Sequence, residues 1–275
     1  MSYRSMLVLL DDSKCNTDRL DVAMSIAKSH GAHLTGVALE TLKPQYMKST
    51  DEHYIKAESK RVADSLVNDF MARSENAGIE VDGFTIEGND DISAGKMAHH
   101  GRNVDLVILP QPNPDSRNYS RMLSFSEEVM LYSGRPILFM PYIGAKKVPF
   151  QKAMVSYDGT PAATRAIHDA IPILKRCNDT AILVVESQKQ LESKSDVQAD
   201  SLSKHLDRHG IHNHVSRVNP GRSLVPAVIQ NESFNQDIDI LVVGGYGTPS
   251  LRQKIFGSVT RNLLETMPVP VLMAH

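Results

Sequence analysis

The chain has 275 residues, 41% hydrophobic and 23% charged, which fits one large or two ordinary domains and excludes a wholly disordered chain. Lys and Arg number 30 against 32 Asp and Glu, a formal charge of −2, so no global basic field points to nucleic acid or an anionic membrane. Cys15 and Cys177 lie far apart and outside any CxxC or Cys/His ladder, which excludes a disulfide scaffold and a zinc finger. The opening MSYRSMLVLLDD has too short an apolar run for a signal-peptide core, and no stretch nears the roughly 18 apolar residues of a membrane span. A cytoplasmic globular protein is expected.

In chain order, the first half opens with an apolar run, Met6–Ser13 (MLVLLDDS), that ends in Asp11 and a turn. A second strand follows at His33–Ala38, then the longest helix at about Asp51–Asn76, a strand at Val104–Leu109 and a final strand at Pro136–Pro141. The Gly/Lys-rich step Ile143–Val148 reads as a linker. The second half begins with strand Ala153–Tyr157, then Asp158, with Thr160 and Pro161 as a helix-start pair. Ala166, Ile167, Ala170, Ile171 and Leu174 mark the apolar face of that helix, and Pro172 predicts an early end or a kink. Strand Ala181–Val185, helix Val197–His209, strand His212–Val218 and helix Leu224–Asn231 come next. Strand Ile238–Val243, helix Ser258–Thr266 and strand Val269–Met273 close the chain.

The halves are copies. Met6–Ser13 aligns with Ala153–Thr160 at a shift of 147, which carries Thr17, Ala23 and Ile26 onto Thr164, Ala170 and Ile173 and His33–Ala38 onto Thr180–Val185. Val104–Leu109 aligns with Ile238–Val243 at a shift of 134, and so does Pro136–Phe139 with Pro270–Met273, leaving 13 extra residues in the first half. Continuous Val/Ile/Leu strands alternating with helices predict an α/β fold of two tandem doubly wound domains, residues 1–147 and 148–275.

In such sheets ligands bind beyond the carboxyl ends of the strands, where the strand order reverses. After Val243 the chain reads GGYGTPSLRQKIFGSVTRNLLE, which is Gly244, two residues, Gly247, nine residues, Gly257, then Ser258 opening a helix. Glycines admit close approach of a ligand to bare backbone, and free N–H groups at a helix start attract anions. Ser258 and Thr260 add hydroxyls, and Asp158 sits at the end of a neighbouring strand. The plain alternative is a tight turn with a helix cap.

Gly-x2-Gly-x9-Gly-Ser after the fourth strand, with Asp158 after the first, resembles the ATP-binding members of the universal stress protein family, in two copies over the whole chain. The resemblance implies a five-stranded parallel sheet with helices on both faces in each copy, and a fifth strand used in domain pairing. It implies adenine near Tyr157, Asp158 and the backbone of Val185, ribose on Gly244 and Gly247, and phosphates on Gly257, Ser258, Val259 and Thr260. The ligand is then ATP or a related adenine nucleotide, with Mg2+ a candidate companion. The resemblance further implies that the two domains pair as an intramolecular pseudo-dimer, with a homodimer of chains left open. The first half departs from the pattern. Pro110, Asn113 and Leu123 replace the three glycines while Ser124 and Asp11 remain, so its loop is degenerate for ATP.

No Walker A loop, GxGxxG or GxSxG is present. His209, His212 and His214, and the adjacent His99 and His100, read as solvated surface rather than metal ligands. Cys15 and Cys177 read as packed or exposed thiols rather than nucleophiles, and Met47 and Met71 as core. A stress-response or regulatory binding module is favoured over a slow ATPase or nucleotidyl-transfer enzyme, because hydrolysis also needs a placed base. Arg252 and Lys254 are loop cations expected within reach of phosphate, with no candidate base evident. A scaffold without nucleotide is the third reading.

Overall fold

A computed structural model describes residues 2–40, 51–88, 90–143, 147–186, 198–245 and 258–275. Gly247, Gly257, Arg252, Lys254 and Met47 lie outside the described residues. The chain packs as two compact units, Ser2–Arg135 and Pro136–His275.

The first unit runs β1 (Ser5–Leu10), α1 (Asn16–His30), β2 (His33–Glu40), α2 (Glu52–Asn76), β3 (Val81–Glu87), α3 (Asp90–Gly101), β4 (Leu106–Pro110) and α4 (Tyr119–Ser133). Its strands are parallel in the order β3-β2-β1-β4. β1 and β4 are buried almost throughout, as expected of central strands covered on both faces, while the outer β3 is half-wet. The chain steps one way from β1 to β3 and back to β4. Right-handed crossovers therefore place α1 and α2 on one face and α3 on the other, where it packs on α4. Gly36 in β2 lets the long α2 lie close, since a Cβ there would stand 2.5 Å from the Phe70 ring. Asp51 caps α2 by accepting from the N–H groups of His53 and Tyr54.

The second unit comprises β5 (Ile137–Met140), β6 (Lys152–Ser156), α5 (Pro161–Leu174), β7 (Asp179–Val185), α6 (Ala199–Arg208) and β8 (Asn213–Val218), followed by α7 (Val225–Asn235), β9 (Ile240–Gly244), α8 (Ser258–Thr266) and β10 (Val271–Ala274). The order is β5-β10-β9-β6-β7-β8. β6 to β10 are mutually parallel, which reproduces the five-stranded doubly wound sheet of one repeat. β5, the last strand of the first repeat, runs antiparallel to β10, with Ile137 opposite Met273 and Phe139 opposite Val271.

Strand register refines the repeat. Ser5 faces His33 and Lys152 faces Asp179, so the shift falls from 147 to 146 at the second strand, and His33 corresponds to Asp179 rather than Thr180. Met6 faces Leu106 and Ala153 faces Ile240, which keeps 134 at the fourth strand. The added length of the first half lies between its second and third strands, where α2 has 25 residues against 10 in α6.

Pro172 does not end its helix early, and one further helix end differs from the sequence reading. α5 continues through Pro172 to Leu174, because Ile171, Ile173 and Leu174 are all buried and outweigh the one backbone bond that proline removes. α7 runs to Asn235, four residues further than its apolar pattern, with Ser233 buried and its hydroxyl donating to the Ile229 carbonyl at 2.7 Å. Each repeat also ties its first strand to its fourth. Asp105 accepts from the N–H groups of Arg4 and Ser5 at 2.7 and 3.1 Å, and Asp239 accepts from those of Gln151 and Lys152 at 2.8 and 3.0 Å.

Candidate functional site

In the second repeat the order β10-β9-β6-β7-β8 reverses between β9 and β6. Ser156, the last residue of β6, lies opposite Val243 of β9 and Leu183 of β7. Tyr157, Asp158, Gly244 and Val185 therefore stand at the ends of three adjacent strands at the switch point, where a ligand crevice is expected. Tyr157 is half-buried and its N–H donates to the Leu183 carbonyl at 2.9 Å. Asp158 is exposed, and its Oδ1 accepts from the Thr160 N–H at 3.0 Å and the Thr160 hydroxyl at 2.7 Å. Thr160 in turn caps α5 by accepting from the Ala163 N–H at 3.2 Å.

Gly244 has a structural reason of its own. A Cβ there would sit 2.4 Å from the Ala163 nitrogen and 2.7 Å from the Ala162 carbonyl carbon, so bare backbone at this position admits the first turn of α5. α8 opens at Ser258, and Thr260 in its first turn is buried. Of the nine residues assigned to the nucleotide, Tyr157, Asp158, Val185 and Gly244 are thus brought together. Ser258, Val259 and Thr260 form the first turn of a neighbouring helix, and Gly247 and Gly257 lie outside the described residues.

The first repeat differs at the same strand ends. Asp11 Oδ1 accepts from the Ser13 N–H at 2.9 Å, but Asp11 Oδ2 lies 2.9 Å from Arg19 Nη2. The Arg19 side chain is 0% exposed, and it also donates to the Leu9 carbonyl at 2.9 Å and to Asn16 Oδ1 at 2.8 Å. Ala166 takes the place of Arg19 in the second repeat. Sequence reading attributed the degeneracy to Pro110, Asn113 and Leu123 and missed this arginine; its signal was a guanidinium aligned with a buried alanine.

A second contrast became visible only with the corrected shift of 146, which aligns Glu40 with Glu186. Glu40, at the end of β2, accepts from the Thr85 hydroxyl at 2.7 Å and lies 3.7 Å from Lys60 Nζ. Glu186, directly after β7, is 2% exposed; its Oε2 accepts from Arg217 Nη1 at 3.0 Å, and its buried Oε1 has no partner.

The remaining candidates fall elsewhere. His212 and His214 both approach the Asp179 carboxylate, at 3.1 and 3.4 Å. Burial alone would raise Asp179, but the hydrogen bond from His212 and the charge of His214 hold it below the ordinary carboxylate value. His209 turns instead to His205, ring centroids 4.7 Å apart, and His205 meets His168 at 5.0 Å. Desolvation first, then the charges of His168 and His209, lower the His205 value. His99 and His100 are exposed, with His100 against Phe84 at 4.5 Å. Burial, reinforced by Asp239, pushes the Cys177 thiol up to about 12, which makes it a packed thiol rather than a nucleophile. Among the described residues no group of His, Cys, Asp or Glu is arranged to hold a metal ion, and no helix is long and apolar enough to cross a membrane.

The universal stress protein family model matches residues 149–275. None of the curated proteins compared matches the chain. The structure is similar to a universal stress protein from Archaeoglobus fulgidus DSM 4304, at 17% identity and TM-score 0.76, covering 98% of this chain and 97% of that one. It is also similar to a putative universal stress protein from Pseudomonas aeruginosa UCBPP-PA14, at 14% identity and TM-score 0.65, covering 99% and 93%. A functionally unknown protein from Pseudomonas aeruginosa PAO1 follows at 15% identity and TM-score 0.62, covering 99% and 92%. At these identities the likeness establishes the fold alone, and the fold extends over both repeats.

Proposed function

We propose that the chain, whose residues 149–275 match the universal stress protein family, binds one ATP per chain, in the second repeat, as a nucleotide-responsive stress or regulatory module of the cytoplasm. The functional halves are residues 1–147 and 148–275. The observation that carries the reading is the asymmetry at the strand ends. Among the described residues of the second repeat, Asp158 is engaged by its own turn, and the Gly-x2-Gly-x9-Gly-Ser segment precedes α8 in the chain. In the first repeat the buried Arg19 takes up Asp11.

Tyr157, Asp158 and the backbone of Val185 would hold the adenine, Gly244 and Gly247 the ribose, and Gly257, Ser258, Val259 and Thr260 the phosphates. Gly244 fits this role only through its main chain, since the space on its Cα is already filled by α5. Bound ATP, with or without Mg2+, would supply an anionic group that the N–H groups at the start of α8 attract. Calorimetry with ATP tests the reading. Stoichiometry near one supports it, whereas stoichiometry near two or no binding overturns it. A single-turnover assay with radiolabelled ATP separates binding from slow hydrolysis or nucleotidyl transfer, which would convert the nucleotide before its release.

The proposal extends to the pairing of the two repeats as an intramolecular pseudo-dimer. The antiparallel contact of β5 with β10 supports it, because each repeat's final strand otherwise leaves an edge unpaired. Relaxation measurements showing the two halves tumbling independently would overturn it.

A further inference from the structure

Four side-chain polar atoms in the described part of the second repeat are buried without a partner: Thr180 Oγ1, Glu186 Oε1, His205 Nε2 and Asn213 Oδ1. Thr180 and Asn213 lie at the starts of β7 and β8, and His205 lies within α6. Glu186 alone of the four follows the carboxyl end of a strand, one residue past Val185 at the edge where the ligand crevice is expected. Its position is fixed from both sides. Its N–H donates to the Val218 carbonyl at 3.0 Å, and its Oε2 holds Arg217 at 3.0 Å. A buried carboxyl oxygen left without a donor is destabilising, and such groups mark either strain or a missing partner. In the first repeat Thr85, at the register position that Arg217 holds in the second, donates to Glu40 Oε1. In the second repeat no described residue does the same for Glu186 Oε1.

We propose that Glu186 is a specificity-determining residue whose Oε1 accepts a hydrogen bond from the nucleoside part of the bound nucleotide. The inference rests on the second repeat being a nucleotide site. The shared chemistry is a ligand N–H or O–H donor, from either the 6-amino group of adenine or a ribose hydroxyl. Proximity to Val185 favours the 6-amino group. An acceptor-only oxygen welcomes an amine and repels the 6-oxo group of inosine or guanine nucleotides, and a site built around one donor rejects analogues that lack it.

The test compares ATP, inosine triphosphate, 2′-deoxyATP and 3′-deoxyATP on the full chain and on Glu186→Gln. One charge-assisted hydrogen bond corresponds to roughly 10- to 100-fold, so the parent should prefer ATP over inosine triphosphate by about that factor. In Glu186→Gln the carbonyl turns to Arg217 and the amide NH2 to the ligand, so the preference should vanish or invert while thermal melting stays cooperative. If the inosine discrimination is unchanged but discrimination against a deoxynucleotide collapses, the donor is that ribose hydroxyl. Unchanged discrimination on both counts in the folded variant overturns the inference. Should the variant fail to fold, a parent that binds all four nucleotides alike overturns it equally. A parent that binds none of them overturns the nucleotide site itself, a result distinct from binding without discrimination.

Discussion

The two repeats share strand order and the aspartate that ties the first strand to the fourth, yet they treat the ends of their first two strands differently. In the first repeat Asp11 is paired by a buried guanidinium and Glu40 is bonded by Thr85 beside Lys60. In the second, among the described residues, Asp158 is bonded by Thr160, and Glu186 holds Arg217 with one oxygen and keeps the other buried without a partner. In one copy the strand-end aspartate has both oxygens engaged, by Ser13 and Arg19; in the other, acceptor capacity remains at the switch point among the described residues. A duplicated fold can thus hold one copy as scaffold and one as binding site through a few side chains, with no change of topology.

The largest effect should come from copying the first repeat's loop into the second. Gly257→Leu introduces the residue found at Leu123 and should remove ATP binding, since losing two charge-assisted contacts costs about two to four decades of affinity. Leu123→Gly should not create a second site, because Pro110 and Asn113 remain. Calorimetric stoichiometry reads both variants.

Arg19→Ala makes the converse change, replacing the guanidinium by the alanine present at position 166. It leaves the Asp11 carboxylate unpaired and the Leu9 carbonyl without its donor. The cost should be about 2–3 kcal/mol, below the roughly 3–5 kcal/mol of a fully buried pair because Asp11 is 30% exposed. Denaturant unfolding measures it, and an unchanged midpoint would show that the pair stabilises nothing.

Gly244→Ala drives a methyl into the backbone of Ala162 and Ala163. We expect a loss of about 1–3 kcal/mol, visible as a lowered unfolding midpoint in the absence of nucleotide. A loss of affinity with unchanged stability would instead assign this glycine to the ligand alone. The smallest contrast concerns the turns. Thr160→Ala removes a side-chain cap and should cost about 1 kcal/mol, whereas its counterpart Ser13→Ala should cost less than about 0.5 kcal/mol, because Ser13 bonds through its backbone N–H and carbonyl, which alanine keeps.

Amino-acid pattern alone carried the repeat, the alternation of strands and helices, the long α2 and the placement of Asp11 and Asp158 at strand ends. These follow from local rules: buried parallel strands are continuous apolar runs, and each ends where a polar turn begins. The one-residue slip at β2 and β7 was not legible, because two apolar runs align equally well at neighbouring offsets and only hydrogen-bond register separates them. With that slip uncorrected, Glu40 and Glu186 were not seen as counterparts. That Pro172 does not end α5 early has a related reason. The helix-breaking tendency of proline is local, whereas the burial of Ile171, Ile173 and Leu174 that overrides it is a property of packing.

The sequence by itself determined a duplicated doubly wound α/β chain and the strand ends at which chemistry can occur, since hydrophobic periodicity and turn residues act over a few neighbouring positions. Which strand ends are closed was decided by the tertiary structure. Arg19 reads as one polar residue in an amphipathic helix until folding brings its guanidinium to Asp11 and the Leu9 carbonyl. Gly244 reads as ligand space until α5 is seen to fill it. Glu186 reads as a strand-end acid until its burial, its bond to Arg217 and its unpartnered oxygen appear together. Each of these facts depends on groups distant in sequence meeting at low solvent exposure. There a hydrogen bond made or left unmade shifts stability or affinity by an amount on the order of 1–3 kcal/mol, a scale to which composition and spacing are blind.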